Sequence, residues 1–171
     1  AITQRPDLFS VIGFARECVA LGLGTWKKKP EFKKPTFTKA PLPFKFALKD
    51  KALMPRYCAC IINIEGLGET PDWMKRRLEA TGWRSIGLAV DITNYVMMET
   101  GMPLHAFDAA KVGKPFDTAH GKRIVVRRAR RGEKMTTLDE VQRKLESADI
   151  VITDGKKPIA MAHPANSYND G

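Results

Sequence analysis

The chain has 171 residues, 43% of them hydrophobic and 28% charged, the balance of a folded protein and not of a disordered, collagen-like or disulfide-stapled one. A chain of that order can bury roughly 70% of the surface its unfolded form exposes, and no run approaches the ~20 apolar residues that cross a bilayer. Twenty-nine Lys and Arg against 19 Asp and Glu leave a net charge of +10, which attracts polyanions, nucleic acid above all.

The first twenty residues do not read as a signal peptide, because Arg5, Asp7, Arg16 and Glu17 interrupt them and no apolar stretch follows a basic start. With no initiating Met, the chain reads as a piece of something longer. Cys18, Cys58 and Cys60 are odd in number and lack zinc or redox spacing, which fits a reducing, cytoplasmic setting.

Three segments follow. Residues 1–24 form a connecting helical segment, in which Ser10 is placed as an N-cap, Ile12, Ala15, Val19 and Ala20 approximate one face, and Gly22 and Gly24 end the helix. Residues 25–55 are a basic Pro/Lys-rich linker arm, extended by its prolines, with Trp26, Phe32, Phe37, Phe44 and Phe46 arguing that it lies along a surface.

Residues 56–171 are the folded module. Alternation predicts a strand over Arg56–Ile64 with Cys58 and Cys60 on one face. Thr70 is read as the cap of a helix that starts at Pro71, ends before Gly82 and turns Trp73, Met74, Leu78 and the stem of Arg77 toward the core. A short strand, Ile86–Val90, precedes a helix over Ile92–Thr100, capped by Asp91 and stopped by Gly101. Further strands are predicted at Arg123–Ala129, at Met135–Leu138 and Gln142–Leu145 as a hairpin through the unfavourable turn Asp139-Glu140, and at Ile150–Thr153 and Pro158–Ala162. The class expected is α+β, a mixed β-sheet sandwich with helices packed on one side in a three-layer β/β/α arrangement.

The stretch from Asp91 to Asp108 carries the candidate chemistry. Thr93 and Asn94 are placed in the first turn of their helix, where free backbone N–H groups favour an anionic or carbonyl-bearing ligand. The Gly101-Met102-Pro103 turn returns the chain, so His105 can come back beside that helix and near Arg84. A hydroxyl, an amide, an imidazole and a guanidinium would then converge, the parts needed to hold an ester carbonyl and position a water. The same residues also suit a plainer reading, with Thr93 and Asn94 as capping residues and His105 as a hydrogen-bonded structural group.

The run Asp91-Ile92-Thr93-Asn94-Tyr95-Val96, with Gly101, Pro103 and His105-Ala106-Phe107-Asp108, resembles the editing module of phenylalanyl-tRNA synthetase beta subunits. Arg5-Pro6-Asp7-Leu8 with Ser10, Gly13 and Ala15-Arg16-Glu17 is similar to the segment just ahead of that module. Arg123–Arg130 with Gly132-Glu133-Lys134 and Thr137-Leu138-Asp139, and Ile150–Asp154 with Pro158-Ile159-Ala160, resemble its strands. Gly87-Leu88 stands where the family usually has two Asn, Asp139-Glu140 replaces its Asp-Gly turn, and His163-Pro164 replaces a Gly-rich loop.

The resemblance implies hydrolysis of tyrosine wrongly attached to phenylalanine tRNA, a second sieve needed because a phenylalanine pocket rejects an added hydroxyl poorly. It implies catalytic positions at His105, Thr93 and Asn94 and a substrate contact at Arg84; the basic stretch Lys122–Arg131 is read as giving tRNA phosphate contacts at Arg127, Arg128 and Arg130, or equally as a strand whose alternate residues face solvent. No metal or cofactor is expected for that hydrolysis. ATP and Mg²⁺ belong to aminoacylation by the whole synthetase, on an alpha subunit expected to pair with this one in a heterotetramer. The family's acidic group for the tyrosine hydroxyl would lie beyond Gly171. The alternative is a non-catalytic RNA-binding or subunit-scaffolding module of the same synthetase.

Overall fold

The computed structural model describes residues 5–37, 44–52, 54–112, 123–137 and 140–163. Leu138, Asp139, Lys122 and the segment from Pro164 onward lie outside the described residues, as does the side chain of His163. The chain divides into two compact units, Ala1–Thr38 with Asn63–Ala106 and Lys39–Ile62 with Phe107–Gly171, a division that cuts across the expected arm and module.

The first unit is helical. A single 3-10 turn, Pro6–Phe9, leads into α1, Val11–Ala20. Ser10 joins them as expected: its hydroxyl accepts from the Gly13 N–H at 3.0 Å and donates to the Asp7 carbonyl at 2.8 Å. Glycine is obligatory at 13, since a Cβ there would lie 1.7 Å from the Asp7 carbonyl oxygen. Helix α2, Asp72–Ala80, buries Met74 and Leu78, while Trp73 stays 46% exposed and Arg77 is exposed. Helix α3, Leu88–Thr100, ends at Gly101 in the left-handed conformation (φ 78°) that glycine adopts without penalty.

Two boundaries differ from expectation, and one residue accounts for both. Asp91 does not cap α3. It lies one turn inside, and Gly87 is the N-cap, so Ile86–Val90 is loop and first helical turn instead of strand. Thr70 does not cap α2 either; Pro71 occupies that position and the Thr70 hydroxyl donates to the Asp91 carboxylate. Both side-chain caps, the Thr70 hydroxyl and the Asp91 carboxylate, are diverted to a tertiary hydrogen bond with each other, which spacing along the chain does not show.

The second unit holds the sheets. Strands β1 (Lys45–Leu48), β2 (Arg123–Arg128), β5 (Ile150–Thr153) and β6 (Pro158–His163) form a four-stranded mixed sheet in the order β1-β2-β5-β6. β1 runs parallel to β2, with Phe46 opposite Ile124, and the other pairings are antiparallel, with Val126 opposite Ile152 and Val151 opposite Met161. β3 (Lys134–Thr136) and β4 (Gln142–Lys144) make a separate antiparallel hairpin.

All four residues of β5 are buried, as in a strand covered on both faces. On one face Val126, Ile150 and Ile152 pack with Leu48, Met54, Tyr57, Phe107 and Ile159. On the other Val151, Ala129 and Leu145 pack with Met135 of the hairpin and Met161. Two departures from expectation belong to this unit: Lys45–Leu48, within the segment read as an arm, is a strand, whereas Arg56–Ile64 is not. Alternation in that stretch is not matched by a ladder, and Cys58, Cys60, Ile61 and Ile62 are exposed. The α+β class is the one expected.

The hairpin turn carries the strain that its sequence announces. Glu140 has φ 63°, the only positive φ outside glycine among the described residues. Glu140→Gly is therefore expected to stabilise the protein by about 0.5–1 kcal/mol, and Glu140→Val to destabilise it. Thermal unfolding of the two variants checks this, and equal melting temperatures would show the turn to be unstrained.

Candidate functional site

Asp91 is fully buried, and an isolated carboxylate in that position would be prohibitively costly. It accepts from the hydroxyls of Thr70 and Ser85 through Oδ2 and from the Ile86 N–H at 2.9 Å through Oδ1. Desolvation pushes its pKa up. The donors from Ser85, Thr70 and the Ile86 and Gly87 backbone outweigh that and hold it at about 2. The group therefore stays ionised, and it ties the approach to α2 and the loop after α2 to the first turn of α3.

That loop carries Arg84, which is exposed and lies one residue before the anchored Ser85. Thr93 and Asn94 are half-buried on α3, in the second turn and not the first. Their N–H groups belong to the helical ladder, so the free donors at this end are those of Leu88, Ala89 and Val90. The Thr93 hydroxyl donates to the Val90 carbonyl at 2.7 Å. With its proton so engaged, it can offer a ligand only lone pairs. The expected anion-binding first turn is thereby corrected: Thr93 suits an ammonium or a water O–H, and Asn94 supplies an amide with both donor and acceptor capacity.

His105 lies on the exposed loop that follows Gly101. Partial burial of its ring pushes the imidazole pKa below the ordinary 6.5, so the neutral form, able to accept a proton, prevails at pH 7. Asn94 to Gly101 climbs about 10 Å along the helix axis, and the four residues from Gly101 to His105 can span about 13 Å. The loop is thus long enough to return the ring level with Asn94. Neighbouring on α3 is a cluster that sequence reasoning missed: Arg77 donates to the Tyr95 hydroxyl and lies 5.4 Å over the Trp73 ring, which meets Tyr95 edge-on at 5.3 Å. The i, i+4 spacing of Trp73 and Arg77 was its only signal.

In the second unit the three arginines fare differently. Arg127 forms a bidentate pair with Glu133 at 2.9 and 2.7 Å, both side chains being largely buried. The pairing raises the Arg127 pKa and holds the Glu133 carboxyl below its ordinary value. Arg128 pairs with Asp50 at 2.6 Å. Arg130 is exposed, and its backbone N–H, not its guanidinium, donates to Glu133. Of the three, Arg130 is the one that forms no side-chain ion pair among the described residues, though its charge helps to hold the Glu133 carboxyl low. No group of three or more His, Cys, Asp or Glu among those residues is placed to hold a metal ion, and no described helix is long and apolar enough to cross a membrane.

Comparison with known proteins matches residues 53–170 to the B3/4 domain. The chain is 45% identical over 163 residues to the phenylalanine–tRNA ligase beta subunit of Geobacter metallireducens, covering 93% of this chain and 19% of that protein. It is 41% identical over 167 residues to the same subunit of Syntrophus aciditrophicus, covering 97% and 20%, and 40% identical over 159 residues to that of Thermotoga maritima, covering 92% and 19%. The chain thus spans about a fifth of the length of these relatives.

Two outcomes follow from the ion networks. Asp91→Asn leaves the buried Thr70 and half-buried Ser85 hydroxyls competing for a weaker acceptor and is expected to cost about 2–4 kcal/mol. Because the folded pKa is depressed, the wild-type contribution is complete above the ordinary carboxylate value and is lost as pH falls from about 4 toward 2. Unfolding followed from pH 6 to 2 should show a smaller acid loss in the variant, and identical curves would remove Asp91 from this role. Arg127→Ala is expected to lower stability by about 1–3 kcal/mol by stranding Glu133, while Arg130→Ala leaves it unchanged and lowers the salt slope of polyanion binding by under one unit. A melting temperature that responds to Arg130 instead of Arg127 would reverse the assignment.

Proposed function

The chain belongs to the B3/4 domain family, and from that premise we propose that it is the editing part of a phenylalanine–tRNA ligase beta subunit, hydrolysing tyrosine mis-esterified to phenylalanine tRNA. The observation that carries this reading is identity of 40–45% to such subunits across more than nine-tenths of the chain. The geometry supports it at the level of single groups. Neutral His105 takes the proton from the attacking water or orients that water. Asn94 donates to the ester carbonyl as negative charge develops on it, Thr93 accepts from the substrate ammonium or the water, and exposed Arg84 meets the terminal phosphate or ribose. Water adds to the carbonyl carbon, the ester bond to the ribose oxygen breaks, and the ribose hydroxyl leaves with a proton.

ATP and Mg²⁺ are assigned to aminoacylation by the whole ligase, on an alpha subunit with which this subunit forms a heterotetramer in the cytoplasm. The metal-free hydrolysis asks nothing of them. A second reading has its own support. Thr93 is engaged with the backbone and Gly87-Leu88 offers no side-chain amide, so a module that binds RNA or braces its subunit without hydrolysis also suits these residues.

Release of amino acid from tyrosyl- and phenylalanyl-tRNA(Phe) distinguishes them. Tyrosine is expected to be released selectively, with His105→Ala slowing release by ~10²-fold or more. The acid limb of the wild-type profile should lie below the ordinary imidazole value, with activity lost as pH falls through it, and should vanish in the variant. Binding that persists with neither amino acid released would establish the scaffolding reading.

A further inference from the structure

Between Trp26 and Phe37 the chain reads Trp-Lys-Lys-Lys-Pro-Glu-Phe-Lys-Lys-Pro-Thr-Phe, with five lysines to one acid and three aromatic rings. The segment forms neither helix nor strand, and its prolines favour an extended course. Alongside α1 it encloses an open cleft of about 250 Å³ lined by Ile12, Arg16, Trp26, Lys29, Pro30 and Phe32. That is smaller than a typical small-molecule pocket of roughly 300–1,000 Å³ and suits one flat ring system inserted from the side. Trp26 and Pro30 are half-buried in it, whereas Phe32 is 70% and Phe37 62% exposed. Lys27, Lys28, Lys29, Lys33 and Lys34 are all exposed, and none forms an ion pair among the described residues.

Charge and rings together narrow the partner. Lysines strung along an extended backbone match a polymer with regularly repeated negative charge better than a compact acidic patch. A regular duplex would satisfy the lysines but keeps its base faces stacked inside, leaving the aromatic rings without a partner. Unpaired nucleotides offer both phosphates and free ring faces. We infer that residues 26–37, with Ile12 and Arg16 of α1, form a binding track for single-stranded RNA, lysines on the phosphates and Trp26 and Phe32 stacked on bases. The inference rests on the reading above only in taking RNA as the polymer, and it uses none of the editing residues.

Anisotropy of a labelled twelve-nucleotide oligouridine, titrated with this chain from 50 to 300 mM salt, tests it. Replacing Lys27, Lys28 and Lys29 together by Ala should flatten the slope of log K against log salt by about 2, near 0.7 per phosphate contact. Phe32→Ala should weaken binding about 5- to 100-fold at fixed salt without changing that slope, as expected for one lost stacked base. A duplex of equal length should compete poorly, and Lys156→Ala, at an exposed lysine of the other unit, should bind as the wild type does. A slope indifferent to the three lysines overturns the track, and so does a Phe32→Ala variant that binds as tightly as wild type. Failure of tyrosine release with this binding pattern intact removes the editing reading alone; tyrosine release without oligonucleotide binding removes the track alone.

Discussion

Asp91 brings together three stretches of chain that local structure would leave separate. Its carboxylate lies on α3, two donors come from Ser85 and Ile86 after α2, and one comes from Thr70 before α2. An ionised group without those donors could not be buried at all, so the network forms as a whole or the helical unit rearranges. Its consequences reach the candidate site. Anchoring Ser85 fixes the backbone that presents Arg84. Setting Asp91 inward also fixes the rotation of α3. Asp91, Asn94, Tyr95 and Met98 then share one stripe, with Tyr95 bonded to Arg77 and the Met98 sulfur accepting from Thr81 of the α2 end. Thr93 sits about 100° round the axis from Asn94, which is why its hydroxyl turns to its own helix.

The sheet unit is governed by a different constraint. β5 is hydrophobic on both faces and must be covered on both, by Tyr57, Phe107 and their neighbours on one side and by the β3–β4 hairpin on the other. The hairpin is held to the strand it follows by Arg127 and Glu133, a charge pair well shielded from water. A guanidinium in that position cannot leave for a phosphate without stranding the carboxylate. Arg127 of the arginine-rich run in β2 is thus part of the architecture, while Arg123 and Arg128 remain exposed.

How much of this was legible beforehand depended on whether the deciding interaction was local. Ser10 and Gly13, the Gly101 stop, the strands at 123–128, 150–153 and 158–163, and the strain at Glu140 are local matters of capping, alternation and backbone angle, and the residues announce them. The strand expected at 56–64 failed because alternation describes a face and not a partner; among the described residues no neighbouring strand pairs with that stretch. Thr70 and Asp91 failed together because each is a good cap in isolation and a better partner for the other. For the candidate site, the one-turn shift in the start of α3 changed what Thr93 can donate and moved the first-turn amides to Leu88, Ala89 and Val90.

The same distinction divides the positive charge. Arg5 is held by Asp7 and Glu17, Arg127 by Glu133 and Arg128 by Asp50, each at hydrogen-bonding distance. Those cations contribute to the net +10 and yet are neutralised where they stand. Lys27 to Lys29, Lys33 and Lys34 have one nearby acid in sequence, Glu31, and no ion pair among the described residues. Mutual repulsion along such a run costs little in water, because screening acts within about 10 Å at moderate salt, but it opposes compaction and keeps the segment open. A polyanion would relieve that repulsion and release its own counterions. Net charge alone does not separate β2 from residues 26–37; the placement of the acids does, pairing Arg127 and Arg128 of β2 and leaving the lysine run without an ion pair among the described residues.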